Sequence, residues 1–282
     1  MTELIYEYEL IIRITAFLAL FGVVAGWEIL SPRRELTVAK SLRWINNLGV
    51  VTINSVILRI IFPAAAVGFA VFAEAQGWGI FNNLNASHLI AIVISVILLD
   101  VIIYFQHVMF HAVPMLWRIH RVHHADLDID VTTGIRFHPI EIILSMLIKF
   151  VAIIMLGPPV LAVIIFEVLL NATSMFNHGN IYIPKQIDKL LRWFLVTPDM
   201  HRVHHSIESD ETNSNFGFNL PWWDRLFGTY RDQPRKTHQE MIIGIQAYRD
   251  EQNCIRLPGM MMLPFIAERS NISDNNHQWD IK

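Results

Sequence analysis

Three short histidine strings carry the chemistry of this chain: His107-Val-Met-Phe-His111, His120-Arg-Val-His123-His124 and His201-Arg-Val-His204-His205. The last two are one pentapeptide used twice. On an α-helix, positions i, i+3 and i+4 share a face, so each pentapeptide can present three imidazoles together. His107 and His111 can do the same one turn apart. His138, before a proline, and His178, between Asn177 and Gly179, could join them, making ten candidates among the thirteen histidines. So many imidazoles on single helix faces are costly without a shared partner, because protonated rings repel and neutral rings need hydrogen bonds. A metal supplies that partner. One tetrahedral ion takes about four ligands, so this supply fits two ions better than one. The single cysteine, Cys254, excludes a thiolate cluster and an intramolecular disulfide, leaving nitrogen and oxygen donors. Imidazole suits iron, zinc, copper and nickel alike, so spacing does not choose the metal. A bis-histidine haem would need only paired axial ligands and leaves the adjacent pairs unexplained. His88, His238 and His277 stand alone and read as ordinary hydrogen-bonding residues.

Metal-bound histidines commonly give their other ring nitrogen to a carboxylate or carbonyl, which fixes tautomer and orientation. Asp100, seven residues before His107 and on its helix face, is a candidate, as are Glu141, Asp199, Glu211, Asn213 and Asp224. Lys149 sits inside an apolar stretch, where a charge is expensive and either functional or snorkelling to the interface.

The elements that must position these groups are membrane helices. Of the 282 residues, 53% are hydrophobic and 17% charged, which is apolar for a soluble domain. The formal net charge of -3 offers no basic face for nucleic acid. Apolar runs over residues 10–30, 50–72 and 89–104 approach the ~20 residues a spanning helix needs, and the third continues helically toward His111. The first run has no convincing cleavage site and should remain as an anchor. A fourth stretch, 142–170, is broken at Gly157-Pro158-Pro159 into a hairpin of two shorter arms. Arg33, Arg34, Lys40 and Arg43 follow the first span, whereas residues 77–87 hold no lysine or arginine, so the first loop is assigned to the cytoplasm. Counting crossings from there places residues 107–138 and 178–205 on that same side. Residues 182–196 alternate apolar and basic positions at helical spacing, as in a helix lying in the interface. The expected architecture is therefore an all-α integral membrane protein of about four to five membrane helices, including the proline-broken hairpin, with a cytoplasmic helical cap carrying the histidine site. Residues 1–282 read as one membrane-embedded domain, with spanning helices over 10–112, a catalytic region over 100–230 and a cytoplasmic tail over 231–282. No targeting tail is evident, which leans toward a bacterial inner membrane.

The three boxes resemble those of the fatty acid hydroxylase and sterol desaturase superfamily, membrane non-haem di-iron enzymes. The likeness covers roughly residues 100–230. His107 and His111 match the family's HxxxH, His120, His123 and His124 its HxxHH, and His201, His204 and His205 its later HxxHH. Thr197-Pro198 before the last box, Ser206 after it, the run from Glu211 through Asn213 and Asn215 to Gly217, and the string from Trp223 to Tyr230 match the flanks. Val108 stands where an arginine often follows the first histidine, and His178 stands alone where some members carry two. The resemblance implies two iron ions on the histidines of the three boxes, and His138 and His178, placed at the same membrane face, are candidates to complete the shell. It further implies dioxygen as co-substrate, and hydroxylation or desaturation of a lipid C–H bond in a sterol, fatty acyl or related lipid. The chain has no GxGxxG motif, so electrons would come from a separate carrier protein and reductase. Two other classes remain open on the residues alone: a zinc-dependent membrane hydrolase using the same histidines, and a metal transporter. Transport is disfavoured because the ligands gather at one membrane face rather than inside the spans.

Overall fold

A computed structural model describes residues 8–84 and 86–267, so His277 lies outside the described residues. Within them the chain is helical, with no β-strand. The elements in order are α1 (Glu9–Leu30), α2 (Lys40–Ile61), α3 (Ala65–Ala75), the single turn α4 (Ile80–Asn83), α5 (His88–Ala112), α6 (Pro114–His124), α7 (Pro139–Leu156) and α8 (Val160–Asn177). Then come α9 (Lys185–Leu191), α10 (Pro198–His204), α11 (Ser209–Thr212), α12 (Trp222–Leu226), α13 (Glu251–Cys254) and α14 (Leu257–Met262). Five helical segments are long and apolar enough to cross a membrane: α1, α2 with α3 and α4, α5, α7 and α8. A helix is the natural fate of such sequence, because hydrocarbon offers the backbone no other partner than its own carbonyls.

Local breaks follow the residues. The second apolar run is not one helix: it stops at Ile61 and restarts at Ala65 around Pro63, whose missing N–H cannot continue the ladder. The hairpin turns where expected. Gly157 takes φ 59° and ψ 49° to end α7, and Pro158 and Pro159 lead into α8. The glycine also permits close approach, since a Cβ there would stand 2.3 Å from the Trp78 carbonyl. The amphipathic stretch is helical only over α9, with Ile187, Leu190, Trp193 and Phe194 exposed beside a buried Ile183.

The opposite end of the bundle, where α1 and α8 finish and α2 and α7 begin, is tied together by buried charge. Glu28 accepts the backbone N–H of Val131 (2.6 Å) and of Asn180 (2.9 Å) and pairs with Lys40 (3.0 Å). Arg43, fully buried, holds Asp126 in a two-pronged pair (2.8 Å each) and also bonds Asp130. Burial pushes the Asp126 carboxyl up, but Arg43 and Arg136 overcome it and hold it at about 2. Asp128 accepts from the backbone of Thr37 and Val38, both at 2.8 Å. The alternating aspartates after the second box thus bind the loop that follows it to the start of α2. Residues expected to form a tail instead pack inward: Cys254, Ile255, Met260 and Leu263 share a core with Val122 of α6. Arg121 donates to the carbonyls of Leu263 and Ile266, each at 2.6 Å.

Removing Arg43 would leave the buried Asp130 without its ion pair and the buried Asp126 with Arg136 alone. Arg43→Leu is expected to cost about 3–5 kcal/mol, read as a lowered unfolding midpoint in detergent. An unchanged midpoint would show that the pairs are not holding this end together.

Candidate metal centre

Both copies of the pentapeptide sit on short helices opened by proline. Pro114 and Pro198 occupy the first helical turns of α6 and α10, where a missing N–H is harmless, and the Thr197 side chain caps α10 by accepting from Met200 N–H. Each box then falls at the last turn of its helix. His107 and His111 come from the last turns of α5, and His178 from the end of α8.

Nine of the ten candidate histidines converge in two buried groups. His107, His111, His120, His124 and His204 form one, and His123, His178, His201 and His205 form the other, with the potential ligand atoms of each group within 4.8 Å of one another. The boxes do not each present three imidazoles to one ion; each is split. A residue advances about 100° around a helix, so i and i+4 stay close while i+3 falls about 60° to the other side. Accordingly His120 and His124 join one group and His123 the other, while His201 and His205 join the second and His204 the first.

Ring orientation is set from behind. His107 Nδ1 donates to the Phe216 carbonyl (2.8 Å), His204 Nδ1 to Ser214 (2.7 Å), His178 Nδ1 to Ser174 (2.7 Å) and His123 Nδ1 to Arg136 (3.3 Å). His120 Nδ1 lies 2.7 Å from Glu141 Oε1. With its proton on Nδ1, each ring turns an Nε2 lone pair inward. Those lone pairs then meet: Nε2 of His107 and His204 are 3.0 Å apart, as are those of His123 and His178. His201 and His205 stand 3.1 and 3.2 Å from His178 Nε2. Two acceptors at that distance cannot hydrogen-bond and repel unless they share a cation. Nitrogens each about 2.1 Å from one ion at near right angles would be separated by about this distance. His120 Nε2 is buried without a hydrogen-bond partner, a further orphan donor of electrons. The donor set therefore fits metal ions held by neutral imidazole, without thiolate or carboxylate in either group. Burial, reinforced by neighbouring rings, pushes His123, His124, His201 and His205 well below the usual imidazole range. Burial also holds His178 at about 4 and His204 at about 3.

His138 is a correction. It belongs to neither group, because both its nitrogens are used elsewhere: Nδ1 caps α7 by accepting from Ile140 N–H (3.2 Å), and Nε2 faces the Met261 carbonyl (3.3 Å). Asp100 touches no clustered histidine either. Seven residues place it about 10 Å along the helix from His107, and it instead accepts from Asn219 Nδ2 and Trp223 Nε1, both at 2.7 Å. Asp224 acts one step back: it accepts from the backbone of Phe216 (2.8 Å) and Gly217 (2.9 Å), fixing the segment whose carbonyl orients His107. Burial raises the Asp224 carboxyl to about 6. Asn213 hydrogen-bonds His111. The Glu211 carbonyl receives the Ser214 hydroxyl (2.7 Å), next to the carbonyl that holds His204. Asp199 pairs with Arg33 (2.9 Å) and Arg202, and faces His238 rather than the groups. The carbonyl anchors left no signal in residue type, whereas the Asp126, Asp128, Asp130 alternation beside the second box was a visible one.

A cavity of about 550 Å³ leads to this centre between α1, α2, α5, α7 and α8. His107, His120 and Glu141 line its inner end, among Phe110, Phe137 and Phe218. Leu10, Ile14 and Leu18 of α1 and Ser55 of α2 line it and are exposed, so its mouth opens sideways between those helices.

Acid should unfold the metal-free protein. The unfolded histidines take up protons below about pH 6.5, whereas His178 and His204 wait until about 4 and 3. Between those limits the unfolded state binds more protons, so stability falls as pH falls. The unfolding midpoint should drop steeply from pH 7 to pH 5, and a flat profile would contradict neutral burial. Gly134 supplies a second check: a Cβ there would stand 2.3 Å from the Ser174 carbonyl and 3.1 Å from His178 Nδ1. Gly134→Ala is expected to displace His178 and lower metal content, measured by elemental analysis, without removing the protein from the membrane.

Comparison with known proteins bears on this geometry. A family model described as fatty acid hydroxylase matches residues 92–229, which hold all nine clustered histidines. An ornithine lipid hydroxylase of Rhizobium tropici is 28% identical over 152 residues, covering 54% of this chain and 45% of the relative. An alkylglycerol monooxygenase of Xenopus tropicalis is 30% identical over 138 residues, covering 47% and 29%. A cholesterol 25-hydroxylase of Rattus norvegicus is 25% identical over 146 residues, covering 51% and 47%. The chain spans less than half the length of each of these relatives, and no solved structure matches it. Histidine groups and relatives together fit the non-haem iron oxygenases, and residues 92–229, about half of the chain, match the fatty acid hydroxylase family.

Proposed function

We propose that the protein is a membrane-bound, non-haem di-iron oxygenase that hydroxylates or desaturates a C–H bond of a lipid. The observation that carries this reading is the pair of histidine groups, five and four imidazoles with lone pairs turned inward, beside an apolar cavity. Two iron ions supplied with electrons activate dioxygen toward an unactivated alkyl carbon. His107, His111, His120, His124 and His204 would hold one ion, and His123, His178, His201 and His205 the other.

The chain's own residues do the rest. The Phe216, Ser214, Ser174 and Arg136 carbonyls keep His107, His204, His178 and His123 in the ligating tautomer, so these four rings need not turn when an ion binds. Glu141 holds His120 through one oxygen, while its other oxygen is buried without a partner next to the cavity and can hold a proton there. The phenylalanines at the inner end exclude water from the reacting carbon. The sideways mouth lets a lipid arrive from the bilayer without leaving it. Arg33, Arg34 and Lys40 beside the site support reading that end as cytoplasmic, where a carrier protein and its reductase would deliver electrons. On this reading the catalytic region is residues 100–230, with the preceding helices forming the lipid path.

Elemental analysis of the purified protein should find about two irons per chain, with lipid oxidation dependent on dioxygen. Full activity under strict anaerobiosis with tightly held zinc would overturn the reading in favour of a hydrolase. His123→Ala and His204→Ala, one from each group, should each lower bound iron and abolish turnover while the protein stays in the membrane. Retention of both irons in both variants would remove these histidines from the ligand set.

A further inference from the structure

Charge gathers on the cavity wall away from the histidines. Arg13 of α1 and Lys149 of α7 meet the buried Glu167 of α8 at 2.9 and 2.6 Å, and Arg13 also pairs with Glu9 at 2.6 Å. Arg59 of α2 lines the same cavity, is exposed, and has no ion-pair partner among the described residues. One turn beyond it, Phe62 packs on Phe150, the neighbour of Lys149, with ring centroids 5.3 Å apart. Arg59 and Lys149 thus lie on the same stretch of wall. Three cations there face two carboxylates, and the unmatched one is Arg59. A cation within an apolar span is expensive unless an anion joins it.

We infer that this wall seats the anionic head of the lipid substrate, a carboxylate or phosphate on an alkyl chain, with Arg59 as its principal partner. The inference rests on the oxygenase reading only for the word substrate; the site itself is a matter of binding. Lys149 lies eight residues beyond Glu141 on α7, which is about 12 Å along the helix. The charged head would therefore rest about 12 Å from the inner end of the cavity, and the chain would run toward His107 and His120 past Ile103 and Met146. A guanidinium suits either oxyanion, since its planar fork matches both. Glu167, shared between Arg13 and Lys149, keeps those two cations in place without using up Arg59.

The test measures binding without turnover, on full-length, iron-loaded protein in neutral-lipid nanodiscs. Palmitate, hexadecyl phosphate and hexadecanol compete against a fluorescent fatty-acid probe. At least one anion should displace the probe at roughly tenfold lower concentration than the alcohol, the scale of a charge-assisted contact. Whichever anion is preferred distinguishes a carboxylate head from a phosphate head. Arg59→Gln, at an exposed position without an ion-pair partner among the described residues, should erase that preference while leaving hexadecanol binding unchanged. Equal displacement by all three compounds, or an intact preference in Arg59→Gln, overturns the inference. Anion preference without dioxygen-dependent product would sink the oxygenase reading and leave the site standing; oxidation of a neutral lipid without anion preference would do the reverse.

Discussion

The fold turns on one electrostatic constraint, the confinement of nine imidazoles with their ring nitrogens crowded together in a buried interior. Lone pairs at 3.0 Å repel, and rings free to rotate would relieve that repulsion by turning away. Four of them, His178, His123, His204 and His107, are prevented from turning by backbone carbonyls behind them, which belong to the segments around Ser174, Arg136, Ser214 and Phe216. Those segments are themselves secured by buried polar groups. Asp224 holds the backbone at Phe216 and Gly217, and the Ser174 hydroxyl donates to the Gly134 carbonyl. The site is thus preorganised by successive layers of hydrogen bonds rather than by its ligands alone.

The membrane helices supply position and the shorter elements supply aim. Five apolar segments bring their ends to one face, but the two pentapeptides lie on α6 and α10, which are not spanning helices. Buried ion pairs connect the two kinds of element. Arg43 sits within the second span and grips the aspartates that follow the second box, while Glu28 at the end of the first span holds backbone on both sides of the centre. Such pairs contribute little net stability compared with apolar packing, yet they are costly to break singly, which makes the arrangement specific.

How much of this was legible depended on whether side chains or backbone carried the information. The box spacing is a side-chain pattern on a helix, and the grouping of histidines follows from it. The split of each box between two groups was missed, because treating i, i+3 and i+4 as one face ignores the 100° step per residue that sets i+3 apart from the i, i+4 pair. His138 misled because a histidine just before a helix-opening proline can serve as a cap, and nothing in its spacing says which role it takes. Asp100 shared a face with His107 but not a level, so a face-only argument overreached. The break at Pro63 was written in the sequence and passed over inside a long apolar run. The carbonyl anchors could not be read at all, because every residue has a carbonyl and only the tertiary fold selects which four point at imidazoles.

The sharing of each pentapeptide between two groups has an evolutionary side. Neither group is a module that could be gained or lost with one motif, because deleting either pentapeptide strips donors from both. For the same reason a displacement in one group is passed to the other through a single shared turn of helix.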